Sequence, residues 1–298
     1  MSKSYTFYPG CSSQDKASGS NQQISVAATC DALDIPLNDI PDWNCCGASI
    51  GYAGGGELPR IALSARNIAL AEQSNPGQDI VASCPACWLA TREAKERLAH
   101  SDTLRTDAQA ALAEGGLEYK GEANVRHLTE VLIEDIGYEG MASKVVKPLE
   151  GIKVASYVGC QANRPYGITG ESFENPLYLD KMSEAMGAEA MSDYQKKSQC
   201  CGGALNFSEP EKSQALVKDI LEAAYDSGAE MLVTPCAMCQ MNTEAFQDDI
   251  NKTYGTNFNM PVVYYSQMMA VAYGKSAKEA GLDQQIIRAS KLEEIAAK

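Results

Sequence analysis

One cysteine pattern, present twice, constrains this 298-residue chain more than any other feature. Each copy has a lone cysteine, then an adjacent pair followed by glycine, then a C-x-x-C pair. The intervening lengths are 33 and 37 residues in the first copy and 39 and 34 in the second. Corresponding cysteines are offset by 149, 155 and 152 residues, and such near-constant offsets indicate a duplicated domain. The ten residues are Cys11, Cys45, Cys46, Cys84, Cys87, Cys160, Cys200, Cys201, Cys236 and Cys239.

The sequence around the cysteines predicts two α/β domains. Each C-x-x-C pair follows a short apolar strand, at 79–83 and 230–234, and precedes a helix, at 86–99 and 237–249. Ligands of open α/β sheets bind at such carboxyl strand ends. We therefore expect two similar domains from an internal duplication, each a small, mostly parallel sheet flanked by helices, with the cysteine sites at the C-terminal ends of the strands.

The domain boundary is placed where the helical periodicity is lost, around Pro148. This gives an N-terminal domain of residues 1–147 and a C-terminal domain of residues 148–298. Strands are also expected at 4–8 and 152–158, each leading to a lone cysteine. Further helices are predicted at 20–34, 58–74, 101–122, 124–137, 174–188, 209–228 and 282–298. The last of these is amphipathic and packs either on its own domain or on a partner.

Composition narrows the class of protein. Apolar residues make up 45% of the chain and the net charge is −14, which disfavours a nucleic-acid-binding role. No segment reaches the roughly 18 consecutive apolar residues of a membrane helix, so direct membrane insertion is not expected. The N-terminus has no secretory signal pattern, and we predict a cytoplasmic location. Thiols stay reduced in that compartment, so clustered cysteines indicate metal ligands or redox centres.

Three chemistries are compatible with five cysteines per copy. A structural zinc ion takes four ligands, which leaves one cysteine without a role, and the only histidines, His100 and His127, lie in the first half. A thiol–disulfide centre suits a C-x-x-C pair at a helix start, where the thiol pKa falls. An iron–sulfur cluster less symmetric than a cubane accommodates five thiolates, two of them adjacent, and explains the count best.

The small and aromatic residues beside the cysteines are assigned to packing. Four glycines, and those of 51–57, are expected to leave room for close approach of the backbone to a bulky cluster. These four are Gly10, Gly47, Gly159 and Gly202. Tyr8 and Tyr157 are expected to be core aromatics. Cys30, which lies outside the pattern, is expected to be a buried hydrophobic residue and not a ligand.

The charged residues near the pattern are also given structural roles. Arg126 and His127 are expected to cap a helix or make surface contacts. Three further cations flank the second set of cysteines and are expected on the surface rather than in an anion site. They are Arg164, Lys196 and Lys197.

The strings YPGC, CCG and CPAC of the first copy, and YVGC, CCGG and CAMC of the second, resemble the tandem CCG-domain signature. The chain resembles the B subunit of heterodisulfide reductase, and residues 64–67 and 125–127 extend the resemblance. The resemblance implies two noncubane [4Fe–4S] clusters, one per half, whereas the ligand count leaves zinc in one half as the alternative. The first cluster would be held by Cys11, Cys45, Cys46, Cys84 and Cys87. The second would be held by Cys160, Cys200, Cys201, Cys236 and Cys239.

The same resemblance implies an oxidoreductase acting on sulfur groups. It would be the catalytic subunit of a heterodisulfide reductase-like complex that reduces, or oxidatively forms and processes, disulfide or sulfane-sulfur substrates. The implied partners are a ferredoxin-like C subunit with cubane clusters, a flavin-bearing A subunit, and a thiol, disulfide or sulfur-carrier substrate. The alternative is a non-catalytic electron-transfer subunit of a flavin dehydrogenase or a fumarate reductase-type complex.

Overall fold

The computed structural model describes residues 3–48 and 56–298 and contains two four-stranded sheets in which every strand pair is parallel. The first sheet has the order β2-β1-β3-β4 and the second the order β6-β5-β7-β8. The strands are β1 Tyr5–Tyr8, β2 Leu37–Asp39, β3 Ile80–Ala82, β4 Val125–His127, β5 Lys153–Ser156, β6 Glu189–Ala190, β7 Met231–Thr234 and β8 Val262–Tyr264. The prediction of two parallel α/β units is confirmed.

Helices cover both sheets, which explains why β1, β3 and β7 are buried along their whole length. Those of the first half are α1 Ser20–Ala32, α2 Glu57–Ser74, α3 Pro85–His100, α4 Asp102–Ala113, α5 Leu128–Val131 and α6 Gly137–Ser143, with a π-helical turn at Leu132–Ile136. Those of the second half are α7 Tyr178–Ala185, α8 Pro210–Asp226, α9 Ala237–Ala245, α10 Gln247–Tyr254, α11 Tyr265–Ala272 and α12 Ser290–Ala297.

Several predicted helices are wrong in extent. The segment 124–137 begins as the edge strand β4, which pairs with β3, because a three-residue strand has too few residues to show its period. The helix expected at 101–122 ends at Ala113, just before Gly115 and Gly116. The helix expected at 237–249 is interrupted at Phe246, which separates α9 from α10. The helix expected at 174–188 covers only Tyr178–Ala185.

The C-terminal helix starts later than its amphipathic pattern predicts. Gln285 is extended, and the N–H of Ile286 donates to the buried carboxylate of Glu244 at 3.3 Å, so the segment before α12 is tied to α9. The Ile286 side chain is 65% exposed instead of lying on the apolar stripe. Helix α12 packs against α11 of its own half, and Leu292 is buried there.

The two halves pack against each other reciprocally. Helix α1 of the first half contacts α11 of the second, and α7 of the second half contacts α6 of the first. At the first contact the Ser25 and Ser266 hydroxyls lie 2.7 Å apart, and the Thr29 hydroxyl donates to the Ser266 carbonyl at 2.9 Å. One hydrophobic core runs through both halves. The proposed boundary near residue 148 falls between α6 and β5.

Candidate metal centres

The cysteines lie at the carboxyl edges of the two sheets because each group follows a strand end. Cys11 opens a 3-10 turn just after β1. Cys84 and Cys236 follow β3 and β7 and occupy the N-cap positions of α3 and α9, with nearly the same extended backbone. Cys87 and Cys239 then lie in the first helical turn, where the N-terminal end of the helix dipole favours a thiolate.

The five cysteines of the first half form a continuous row. The sulfurs of Cys11 and Cys45 are 3.7 Å apart, and those of Cys46 and Cys87 are also 3.7 Å apart. The side chain of Cys46 also contacts that of Cys45, and the side chain of Cys87 contacts that of Cys84. The five thiols therefore form one unbroken series of contacts. These separations exceed the disulfide bond length of about 2.05 Å, and all eleven cysteines of the chain are free thiols.

The second half repeats the row in the same order, Cys160, Cys200, Cys201, Cys239 and Cys236. In both rows the lone cysteine and the first member of the doublet are at least partly accessible, whereas the other three are buried. Each row therefore runs from the protein surface to the interior. The structure brings together all ten cysteines of the sequence pattern, five and five. Cys30 lies apart in the shared core, where burial raises the pKa of its thiol to about 12.

Two tyrosines anchor the cysteine doublets. The buried hydroxyl of Tyr8 donates to the carbonyl of Asn44 at 2.8 Å, and that of Tyr157 donates to the carbonyl of Gln199 at 2.7 Å. Each carbonyl immediately precedes a doublet. These tyrosines are core aromatics, as expected, but their hydroxyls also hold the cysteine loops against the sheets. Their recurrence before both lone cysteines was the signal for this second role.

Two of the four glycines give the backbone close access to a sulfur. A Cβ atom on Gly10 would lie 2.7 Å from the Cys87 sulfur, and one on Gly159 would lie 3.0 Å from the Cys239 sulfur. Both have a positive φ, +78° and +76°, that L side chains rarely adopt. At Gly202 the constraint is different, because a Cβ atom there would clash with Ser213 and Leu216 of α8. Most of the glycine-rich stretch 51–57 lies outside the described residues.

Contacts within each row shift the pKa values of neighbouring thiols in opposite directions. Cys45 and Cys87 lower the pKa of Cys46 to about 3, and Cys160 and Cys201 lower the pKa of Cys200 to about 2. The contact with Cys46 raises the pKa of Cys87, and the contact with Cys201 raises that of Cys239. Five adjacent thiolates repel one another, so the fully ionised row needs positive charge. Bound metal supplies such charge, and thiolates are the ligands of iron–sulfur clusters.

The donor set is broader than a single-ion site. Within residues 3–48 and 56–298, no three or more His, Cys, Asp and Glu side chains are arranged to hold one metal ion. The thiols instead contact one another in series, and Gly10 and Gly159 pack closely against the sulfurs of Cys87 and Cys239. Five thiols in such a series fit a multi-atom cluster better than they fit one tetrahedral zinc ion.

A single side chain spans the two sites. The amide nitrogen of Gln22 donates to the carbonyl of Ser83 at 3.2 Å and to that of Pro235 at 2.9 Å. These two residues immediately precede Cys84 and Cys236. Tyr264 is buried, and burial and then the charges of Cys236 and Cys84 raise its pKa. The inner ends of the two cysteine rows are therefore neighbours across the interface.

Each half also extends a loop to the other half's site. Tyr166, six residues after Cys160, meets Trp88 edge-to-face with ring centroids 6.4 Å apart. Arg92 lies over the Tyr166 ring at 4.8 Å. In the opposite direction, Gly19 passes so close to Ala237 that a Cβ would lie 3.2 Å from its methyl group. Each site is therefore packed against residues of the other half.

The charged residues have the following positions. His127 caps α5 and is buried. Its Nε2 donates to the Ser83 carbonyl at 3.0 Å and its Nδ1 accepts from Thr129, while burial lowers its pKa to about 4. Arg126 forms ion pairs with acidic residues of its own half. Arg164 is exposed and pairs with Glu174.

The surface assignment of Lys197 was wrong. Its side chain is 1% exposed and forms an ion pair with Asp180 of α7, whose pKa is raised by burial. The Lys197 carbonyl also accepts from the N–H of Gly159 at 2.8 Å, so this buried pair supports the loop that carries Cys160. Sequence reasoning missed Asp180, Gln22 and Tyr264, because isolated polar residues within helices or at strand ends have no local signature.

The model of the CCG family, described as a cysteine-rich domain, matches residues 5–91 and 154–244. The membrane anchor subunit of the 8-methylmenaquinol:fumarate reductase of Wolinella succinogenes is 34% identical over 293 residues, which cover 98% of this chain and 100% of that one. The B subunit of the ferredoxin/F(420)H(2)-dependent CoB-CoM heterodisulfide reductase of Methanosarcina acetivorans is 32% identical over 260 residues, or 86% and 85% of the two chains.

A hypothetical protein from Helicobacter pylori of known crystal structure superimposes with a TM-score of 0.75 at 17% identity. The superposition covers 96% of this chain and 52% of that one, and it supports the fold alone. The matches define a class of two-repeat cysteine-rich domain proteins. The chain belongs to this CCG family, as a member similar to the B subunit of heterodisulfide reductase. None of the helices in the described part of the chain is long and apolar enough to cross a membrane.

Proposed function

We propose that the protein is the catalytic iron–sulfur subunit of a heterodisulfide reductase-like complex. The observation that carries this proposal is the pair of five-thiol rows whose inner ends are linked by Gln22. Cys11, Cys45, Cys46, Cys84 and Cys87 would hold one noncubane [4Fe–4S] cluster. Cys160, Cys200, Cys201, Cys236 and Cys239 would hold the other. When bound, each cluster would supply one electron.

Reductive cleavage of a disulfide consumes two electrons and two protons and yields two thiols. Two sites that adjoin one buried interface suit this stoichiometry, because each can serve one sulfur of the substrate. The chain's own residues would hold the reacting sulfurs in place. Tyr8 and Tyr157 fix the doublet loops, and Gly10 and Gly159 let the backbone lie against the sulfurs of Cys87 and Cys239. The same residues would serve the reverse direction or a sulfane-sulfur substrate.

The proposed complex would deliver electrons through other subunits. A ferredoxin-like C subunit with cubane clusters and a flavin-bearing A subunit are the partners that the family resemblance implies. The proposed location remains cytoplasmic. The net charge of the chain, −14, suits a protein partner with a basic surface.

One observation favours a second candidate, an electron-transfer subunit of a fumarate reductase-type complex. The relative named as a fumarate reductase subunit matches over its entire length and 98% of this chain. The methanogen heterodisulfide reductase subunit covers 86% of this chain at a similar identity. In this second role the two sites would pass electrons between partners and bind no substrate sulfur.

The first experiment is a count of iron, acid-labile sulfide and zinc in protein purified without oxygen. We expect about eight irons per chain with matching sulfide. Four irons with one zinc would mean that the halves differ, and zinc alone would refute the redox role. Cys87→Ala should lose about half of the iron. Cys30→Ala is the matched control, because Cys30 is also buried but lies outside both rows, and it should retain all the iron.

A second experiment separates the two candidates. The reduced protein is mixed with an excess of an asymmetric disulfide, and the released thiols are counted. The catalytic role predicts two thiols per two electrons withdrawn and a new spectroscopic species on addition of a thiol. An electron-transfer subunit would release no thiol under these conditions, and its spectrum would be insensitive to thiols.

A further inference from the structure

We propose that Gln22 is the positioning residue that couples the two cysteine sites. The coupling would arise because one amide nitrogen holds the strand-to-helix turn of each site. This inference deepens the proposed function and rests on it only for the statement that the turns carry cluster ligands. It predicts that the two sites respond unequally when Gln22 is replaced.

The geometry assigns the orientation of the Gln22 amide. Both groups within hydrogen-bonding distance are backbone carbonyls, of Ser83 and Pro235, so only the amide nitrogen can face them. The side chain is fully buried and comes from α1 of the first half. Its amide oxygen is also buried and has no partner among the described residues. The two donated hydrogen bonds therefore fix the side chain between the halves.

The two carbonyls depend on Gln22 to different degrees. The Ser83 carbonyl accepts a second hydrogen bond, from Nε2 of His127 at 3.0 Å. Among the described residues, Gln22 alone donates a hydrogen bond to the Pro235 carbonyl. The residue that occupies the position of His127 at the end of β8 is Tyr264, whose hydroxyl donates to Gln240 at 3.5 Å instead. Loss of Gln22 should thus leave the Cys84 turn supported and the Cys236 turn unsupported.

The buried position makes this difference large enough to measure. The folded state loses more free energy when a buried carbonyl is left without any hydrogen-bond donor than when a second donor remains. We expect the Cys236–Cys239 turn to open about tenfold more often in Gln22→Met, the factor that corresponds to about 1.4 kcal/mol at 25 °C. We expect less than about a twofold change at the Cys84–Cys87 turn, because His127 remains.

The matched control is Gln247→Met. The Gln247 side chain is equally buried, and its amide nitrogen also spans two carbonyls, those of Thr243 at 2.9 Å and Met260 at 2.8 Å. Its hydrogen bonds go to Thr243 and Met260 and to neither cysteine turn. General loss of a buried glutamine should therefore appear in both variants, whereas a site-specific effect should appear only in Gln22→Met.

The readout is alkylation with iodoacetamide followed by peptide mass spectrometry, performed on the anaerobically purified protein and on metal-free reduced protein. Relative to the unmodified protein, we expect a larger increase in the alkylation rate of Cys236 and Cys239 than of Cys84 and Cys87 in Gln22→Met, and no such asymmetry in Gln247→Met. The electron paramagnetic resonance spectrum of the purified variant should change for one centre and not for the other. Gln22→Asn, which is shorter by one methylene, is used if Gln22→Met does not fold.

Equal alkylation rates at the two turns in both glutamine variants would overturn the assignment, as would an asymmetry that Gln247→Met reproduces. Failure of the proposed function gives a different result. In that case the unmodified protein would contain no iron, while the metal-free measurement would still compare the two turns. The two failures are therefore distinguishable.

Discussion

Replacement of Gly10 by alanine should displace the sulfur of Cys87. The new Cβ would lie 2.7 Å from that sulfur, whereas ordinary van der Waals contact begins at 3.4 Å. The sulfur is on a buried residue in the first turn of α3 and must therefore move by about 0.7 Å or push the backbone away. Overpacking of this kind costs about 1–3 kcal/mol.

The backbone contribution must be separated from this packing contribution. Gly10 has φ 78° and ψ 162°, a conformation in which an alanine is strained by about 1–3 kcal/mol. Gly137 has φ 78° and ψ 160°, yet nothing lies within 4 Å of its Cβ position. Gly137→Ala therefore carries the same backbone strain without the clash. The excess destabilisation of Gly10→Ala over Gly137→Ala measures the packing against Cys87.

The assay has two parts. Urea unfolding of the reduced, metal-free variants should place Gly10→Ala about 1–3 kcal/mol below Gly137→Ala. Iron analysis of anaerobically purified protein should give about half the normal iron for Gly10→Ala and the full amount for Gly137→Ala. If the two variants have equal unfolding free energies and equal iron contents, the packing of Gly10 on Cys87 does not constrain the site and the reasoning is refuted.

Two further predictions concern buried charges of the second half. Lys197→Met should lower the free energy of unfolding by about 3–5 kcal/mol, because it leaves the Asp180 carboxylate buried without its partner. Lys197→Met/Asp180→Leu should recover part of this loss, and urea unfolding that ranks the double variant no higher than the single one would contradict the account. Burial raises the pKa of Glu244 from 4.5 to about 7, so the unfolded chain loses this proton first and stability should fall as pH rises from 4.5 to 7. The contribution is up to about 3 kcal/mol. Glu244→Gln should remove that fall, and an unchanged pH profile of the urea midpoint would rule the assignment out.

Four hydrogen bonds stabilise the buried carboxylate of Glu244. It accepts from the side-chain amides of Gln240 and Gln285 at 2.7 and 3.2 Å and from two backbone N–H groups. No cation among the described residues forms an ion pair with it, so burial outweighs these hydrogen bonds and the proton is held more tightly. The same contacts tie the segment around Gln285 to α9, the helix that carries Cys239.

The sequence alone determined the repeat and indicated two thiol sites. The spacing of the ten cysteines indicated two equivalent sites, and the structure gathers the same ten into two rows of five. The strand-to-helix turns at Cys84 and Cys236 were predictable because an apolar strand and an amphipathic helix each have a local period. These features depend on residues close together in the chain.

Only the tertiary structure decided which residues far apart in the chain come into contact. The strand β4 lacks a period of its own and is stabilised by pairing with β3, so the segment was mistaken for helix. The sequence predicts Lys197 on the surface, but folding buries it in an ion pair with Asp180 of α7. Gln22 acquires its position from two carbonyls that are 61 and 213 residues away. Such contacts are absent from local sequence patterns because folding, not chain proximity, brings the two groups together.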